Sequence, residues 1–366
     1  MSNAALVFFA IILVMVSYLF FSFFNVKFER YQFIVINLIF IILVTTLGYL
    51  YVPYPNYDLT RYFIEMDYLS RFTYLESLTV GNYTNEPLAH ILFFIIGRIR
   101  NFSLLSATTM GTIFLLITVA NYKIIYNKKY NFKSYSFYVY ILVVIGMMGF
   151  VNPMSGIRQT LAWSFALLAI YYDYFTDDKN NIVRIILYLI PLGFHSSAVI
   201  LLLTKIFMFA IKRKPRLVWL VLLWPLFLSL LPILYPYLPI YLQYLSDKMQ
   251  DYTSGYFELS LLKTLVRSIV LLLLLWWTLR NNKDSKLKDF NKYYLVILMF
   301  TFSSIVASVM FGRMTNLAII TSFPTIDGMV KDKTLIGRAS LLIIILISIV
   351  NFVDSDLISH GQWYLL

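Results

Sequence analysis

The sequence predicts an all-α, polytopic integral membrane protein, and two observations carry that prediction. Of 366 residues, 60% are hydrophobic and 13% charged, where a soluble globular chain carries roughly 25% charged residues. The apolar residues also gather into runs long enough to cross about 30 Å of hydrocarbon. A water-soluble enzyme or a nucleic-acid-binding domain is thereby excluded. The net charge of +12 reads first as loops that fix orientation in a bilayer, and no nucleic-acid partner is expected.

Runs near residues 4–24, 33–51, 104–121, 134–151, 158–175, 217–235, 261–279, 293–310, 315–330 and 338–353 each predict a span. The first lacks a small-residue cleavage site and reads as a retained span rather than a signal peptide. Residues 182–211 carry Pro191 and Gly193 in mid-run and predict two short spans that meet at Phe194-His195-Ser196-Ser197. The total is about twelve helices in a single transmembrane domain over 1–366. The loops at 27–30, 123–133, 179–184, 212–216, 280–292 and 331–338 hold 20 of the 30 Lys and Arg residues, which places them in the cytoplasm. Both termini then face outward, with the large external loops 52–103 and 236–260 and the short ones 152–157, 194–197 and 311–314. Leu88 to Gly97 is apolar but only about ten residues long. Counted as a crossing it would put the lysines of 123–133 outside, so it reads as a re-entrant or interfacial helix within the first external loop.

The absence of cysteine removes disulfides, thiolate catalysis and cysteine-ligated metals. Three histidines, His90, His195 and His360, are too scattered for a metal cage. No phosphate-binding loop, dinucleotide fingerprint or metal-ligand cluster is present, so neither cofactor nor metal is expected.

The basic residues outside differ in kind from those inside. The external face carries Arg61, Arg71, Arg98, Arg100, Arg158 and Arg313 against one lysine, Lys248. Lysine suffices for topology, whereas arginine offers a rigid fork of donors that grips phosphate or carboxylate. The bland alternative is pairing with Asp58, Glu65, Asp67, Glu76 and Glu86 in the same loop. Arg158, in Asn152-Pro153-Met154-Ser155-Gly156-Ile157-Arg158-Gln159, and Arg313, in Gly312-Arg313-Met314-Thr315-Asn316, each sit where an external loop turns into a helix. Arginines near hydrocarbon usually mark a pathway or active site. Asn-Pro and Gly around Arg158 break the helix and aim the next helix start, with its partial positive charge, at the same place. Two arginines and a helix N-terminus suit a diphosphate.

His195, at the outer junction of two short spans, is either a satisfied structural residue or a general base. Asp58 and Glu86 are the competing carboxylates. Glu86 precedes Pro87 and could simply complement a helix dipole, and Asp58 could pair with Arg61 on one helical turn. The many external tyrosines, Tyr62 and Tyr83 among them, suit a membrane interface and would also stack on sugar faces.

Taken in order, Tyr57-Asp58 with Tyr62, Asn85-Glu86-Pro87-Leu88, Gly156-Ile157-Arg158-Gln159-Thr160-Leu161-Ala162, Phe194-His195-Ser196-Ser197-Ala198 and Arg313-Met314-Thr315-Asn316 resemble the EpsG family of Wzy-like polysaccharide polymerases. The resemblance covers roughly residues 50 to 325. It departs at Leu317, where the family often has an aromatic residue. It implies a bacterial inner-membrane enzyme that joins undecaprenyl-diphosphate-linked oligosaccharide repeat units on the outer side, without a metal. A hydroxyl of one repeat unit would attack the anomeric carbon of the other chain. Arg158 and Arg313, with Arg61, Arg98 or Arg100 as helpers and Gln159 and Tyr62 beside them, would hold the departing diphosphate. His195, or else Asp58 or Glu86, would take the proton. A chain-length regulator and a flippase are the implied protein partners. Its rivals are a flippase or exporter of the same lipid-linked glycan, a metal-dependent membrane transferase using Asp58 and Glu86, and an O-antigen ligase.

Overall fold

A computed structural model describes residues 2–53, 58–127, 129–177, 180–213, 261–280, 287–306 and 308–354. The expected span at 217–235 and external loop at 236–260 lie outside them. Among the described residues every regular element is a helix. The helices are α1 (Asn3–Phe23), α2 (Arg30–Leu50), α3 (Asp58–Leu69), α4 (Tyr74–Val80), α5 (Pro87–Ile99), α6 (Ser103–Ile125), α7 (Ser134–Met148), α8 (Val151–Ser155), α9 (Ile157–Phe175), α10 (Asn181–Phe194), α11 (Val199–Arg213), α12 (Leu261–Arg280), α13 (Lys288–Ser303), α14 (Ser308–Ile320), α15 (Phe323–Lys331) and α16 (Leu335–Phe352). Single 3-10 turns at Ser196–Ala198 and Ser304–Val306 precede α11 and follow α13.

Five helices, α1, α2, α6, α12 and α16, are long and apolar enough to cross a membrane. All but α6 turn a strip of large apolar side chains outward, as α1 does with Leu6, Phe9, Leu13 and Phe20 while burying Phe8, Ile11 and Tyr18. Such an outer face belongs against lipid. The chain is membrane-embedded. At the centre stands α7, buried on every side from Ser136 to Met148, the pattern of a helix enclosed by protein. Helices α1, α14, α15 and α16 pack on it, while α6 packs against both α2 and α9, and α12 against α13.

Three expectations change. Within the expected external loop 52–103 the described residues form, besides the expected short helix at 88–97, which is α5, two further helices, α3 and α4, with α3 amphipathic through buried Leu59, Tyr62, Met66 and Leu69. The region 311–314 is helical, inside α14, because the break after α13 falls earlier, at the turn Ser304–Val306. The run 315–330 is two helices, interrupted at Thr321-Ser322 before Pro324. The expected junction at 194–197 is present as α10, a 3-10 turn and α11.

Two close helix approaches set α3 and α10 against α5. A Cβ at Gly97 of α5 would stand 2.5 Å from the Met66 carbonyl of α3, and one at Gly193 of α10 would stand 2.7 Å from Leu88 of α5. Only glycine lets α3 and α10 lie so near α5.

Candidate functional site

Glu86 is the N-cap of α5, yet its side chain makes no capping hydrogen bond. It crosses instead to two other helices. Oε2 pairs with the Arg158 guanidinium, and Oε1 accepts the Ser196 amide at 3.1 Å. Arg158 is the second residue of α9, directly after the break at Gly156. Its Nε donates to the Tyr62 hydroxyl at 3.2 Å, and the guanidinium carbon lies 4.3 Å from the Tyr83 ring centroid and 5.6 Å from that of Tyr62. The Arg158 side chain is 20% exposed and that of Glu86 9%. Charges so far from water persist only with well-placed partners, which the amide, the hydroxyl and two aromatic faces provide.

The helical segment 58–99 builds this arrangement. Tyr62 of α3 stacks on Phe93 of α5 at 4.9 Å, and Tyr83 meets both rings edge-on at 5.7 and 5.3 Å. The buried Glu65 carboxylate accepts from the backbone and side chain of Asn82, and the Glu86 amide donates to the Tyr83 carbonyl at 2.9 Å. The connection 81–86 is therefore pinned to α3, and Tyr83 and Glu86 are held under Arg158. Burial pushes the Tyr62 hydroxyl well above the ordinary phenol range, against the opposing charge of Arg158. It keeps its proton and can donate it in a hydrogen bond.

His195 ends α10 in an extended conformation, φ −158° and ψ 129°. Its Nδ1 accepts the Ser197 amide at 3.0 Å and lies 2.8 Å from the Ser197 hydroxyl. An amide donating into Nδ1 requires an unprotonated nitrogen there, so the neutral ring carries its proton on Nε2. That tautomer makes His195 a hydrogen-bond donor at Nε2, whereas the sequence suggests a general base.

The remaining expected residues divide. Asp58 and Arg61 pair at 3.5 Å on the exposed first turn of α3, one turn before Tyr62. Arg71 pairs with Asp67 at 2.6 Å. Arg98 and Arg100 lie at the far end of α5, about 18 Å from Glu86 along the axis. There Arg98 donates to the Phe72 carbonyl and covers Phe94, while Arg100 closes the helix in the left-handed conformation, φ 57°. That separation removes both from the Arg158 cluster. Arg313 occupies the second turn of α14, which packs along α9. Gln159 Nε2 is a buried donor with no hydrogen-bond partner among the described residues. Among the described residues no group of three or more His, Asp or Glu could hold a metal ion.

Sequence reasoning misses two contributors to the site and a third, separate group. Tyr83 reads as one of many interfacial tyrosines, and the Ser196 amide is a backbone group. The third lies at the other end of α9, where Asp173 pairs with Lys205 of α11 and, at 3.8 Å, with Arg184 of α10. Tyr188 donates to the same carboxylate at 3.3 Å. The Lys205 ammonium also lies over the rings of Tyr174, Tyr188 and Tyr293, at 4.3, 5.4 and 5.0 Å. Lys205 sits inside an apolar run, where a survey of loops does not look.

Two features define the chemistry available at the Arg158 end. Three helix starts, those of α5, α9 and the turn leading into α11, meet around one carboxylate, which marks a place that favours anions. The rings of Tyr62 and Tyr83 lie against the Arg158 guanidinium beside it, and His195 immediately precedes the Ser196 amide. A family model described as the EpsG family matches residues 33–364. No curated protein and no solved structure matches the chain.

Proposed function

The chain belongs to the EpsG family, Wzy-like and polymerase-type, and on that premise we propose that it joins undecaprenyl-diphosphate-linked oligosaccharide repeat units at the outer face of a bacterial inner membrane. Family membership gives the coarser function, polysaccharide polymerisation by a membrane glycosyltransferase-like protein. The observation that carries the finer reading is the convergence of Arg158, Tyr62, Tyr83, Glu86 and the Ser196 amide from four separate segments. A hydroxyl of one repeat unit attacks the anomeric carbon of the second chain, and the bond to diphosphate breaks with its electron pair on the leaving oxygen. Arg158 stabilises that developing charge, with Arg313 approaching on α14 and Tyr62 and His195 as neutral donors. The hydroxyl's proton passes to a carboxylate, Glu86 or Asp58, because the His195 tautomer favours donation. The leaving group carries its charge well once the arginines meet it, so no metal is required.

The whole of 1–366 acts as a single transmembrane domain of about twelve helices, and α5 lies in or on the membrane as a short re-entrant or interfacial element. The basic bias of the inner loops supports this orientation. Deletion of the gene tests the reading. A surface polysaccharide ladder that collapses to a single repeat unit is the expected result, whereas complete loss of surface glycan points to the flippase.

A further inference from the structure

We infer that Glu86 is an internal stand-in for the substrate's phosphate. Its carboxylate sits where a diphosphate oxygen binds, and the incoming diphosphate must displace it from Arg158 and from the Ser196 amide. The inference rests on the proposed function above for the identity of the ligand.

The geometry is specific. The two Glu86 oxygens divide between two donors from different helices, the Arg158 guanidinium and the Ser196 N–H at 3.1 Å. A carboxylate and a phosphate present the same acceptor pattern, two oxygens sharing a negative charge, and a guanidinium fork accepts either. Glu86 also forgoes the usual work of its position. An N-cap side chain ordinarily accepts from its own helix, and here it does not. Leaving the carboxylate out of the cap costs α5 a stabilising bond, and Arg158 receives a counterion in exchange.

That counterion has a function when no substrate is bound. A guanidinium this far shielded from water is destabilising without an anion, and Glu86 removes that cost. The substrate then exchanges one anion for another rather than meeting a bare cation, so binding is weakened equally in the ground state and the transition state, and the bound diphosphate still meets the full charge of Arg158. After transfer, the returning carboxylate competes the diphosphate product away. A polymerase that repeats the reaction on one growing chain benefits from that release.

Two variants separate this role from that of a purely structural pair. Glu86→Gln keeps size and removes the charge, so Arg158 is open to the ligand. Ser196→Pro deletes the amide donor while keeping the backbone, since His195 is already extended as a residue before proline requires and the first position of a helical turn tolerates proline. Binding is measured on purified protein with two probes, undecaprenyl diphosphate and inorganic pyrophosphate. Glu86→Gln should bind at least one probe about tenfold more tightly than wild type, and Ser196→Pro should bind it more weakly. A gain with both probes shows that the phosphate chemistry alone is read, and a gain with the lipid alone shows that the tail is needed. If Glu86→Gln does not fold, Glu86→Asp replaces it: one methylene shorter, it cannot reach both donors, and it should bind a few-fold more tightly. Equal or weaker binding by the Glu86 variant, with wild type binding normally, overturns the inference and leaves the proposed function standing. No binding of either probe by any protein, wild type included, removes the diphosphate ligand and overturns both.

Discussion

The two ends of α9 use the same materials for different ends. At residue 158 an arginine pairs with one carboxylate over tyrosine rings, and at residue 173 a carboxylate pairs with Lys205 and Arg184 against Tyr174 and Tyr188. The Asp173 cluster is made by side chains carried within α9, α10, α11 and α13, from the last turn of α9 and the first turn of α10 to the middle of α11, and none of its partners is a backbone amide. The Arg158 cluster is made where continuity fails. It draws on the first turn after the Gly156 break, the N-cap of α5, the connection before it and the turn after His195, and one of its donors is a backbone amide. An ion pair between side chains of neighbouring helices holds the bundle together. One assembled from helix starts can exchange its partner without repacking a helix, which is what a binding site requires.

Substitutions test that contrast at both ends. The largest effect is expected for Arg158→Lys, which keeps the charge and loses the fork. Turnover on folded, purified protein should drop about a hundredfold or more, with thermal stability near wild type. Asp173→Asn should do the reverse. It strands Lys205 among tyrosines, a loss of about 2–4 kcal/mol for a pair largely shielded from water, seen as a lower unfolding temperature with normal turnover in the folded fraction. Turnover loss without destabilisation at Asp173 would erase the distinction between the ends.

His195→Asn sharpens the role of the imidazole. Asparagine can still accept the Ser197 amide and preserve the turn, but it cannot supply the Nε2 proton in the same place. A fall of about tenfold in turnover with stability retained supports the donor role, whereas wild-type turnover restricts His195 to capping. The smallest effects belong to Arg98→Ala and Arg100→Ala. Lying about 18 Å along α5 from Glu86, they should leave turnover within about twofold, and a large loss would bring them back into the site.

Much of this is legible in the amino-acid order, and the exceptions have physical reasons. Span-length apolar runs are a strong signal because hydrocarbon thickness fixes their length, and they locate α1, α2, α6, α9, α12 and α16 closely. The helix break ahead of Arg158 is legible from Asn-Pro and Gly, and the junction at His195 from Pro191 and Gly193. Helices α3 and α4 are not, because their apolar residues occupy one face rather than a run, and hydropathy averages that away. Arg313 reads as a loop residue because Gly312 suggests a break, yet glycine inside a packed helix is tolerated where neighbours approach closely. Tyr62, Glu86, Arg158 and His195 each stand out from local motifs. Their meeting depends on contacts 72 and 110 residues apart in sequence, which no local pattern encodes.

On the proposed function, the Arg158 end of α9 is where lipid-linked glycans are joined. That assignment is tested most directly by incubating purified protein with undecaprenyl-diphosphate-linked repeat units and resolving the products by length. Wild type should produce a ladder and Arg158→Lys should leave the single unit unchanged, with Asp173→Asn still producing a ladder from its folded fraction. A full ladder from folded Arg158→Lys, or none from wild type, would contradict the account.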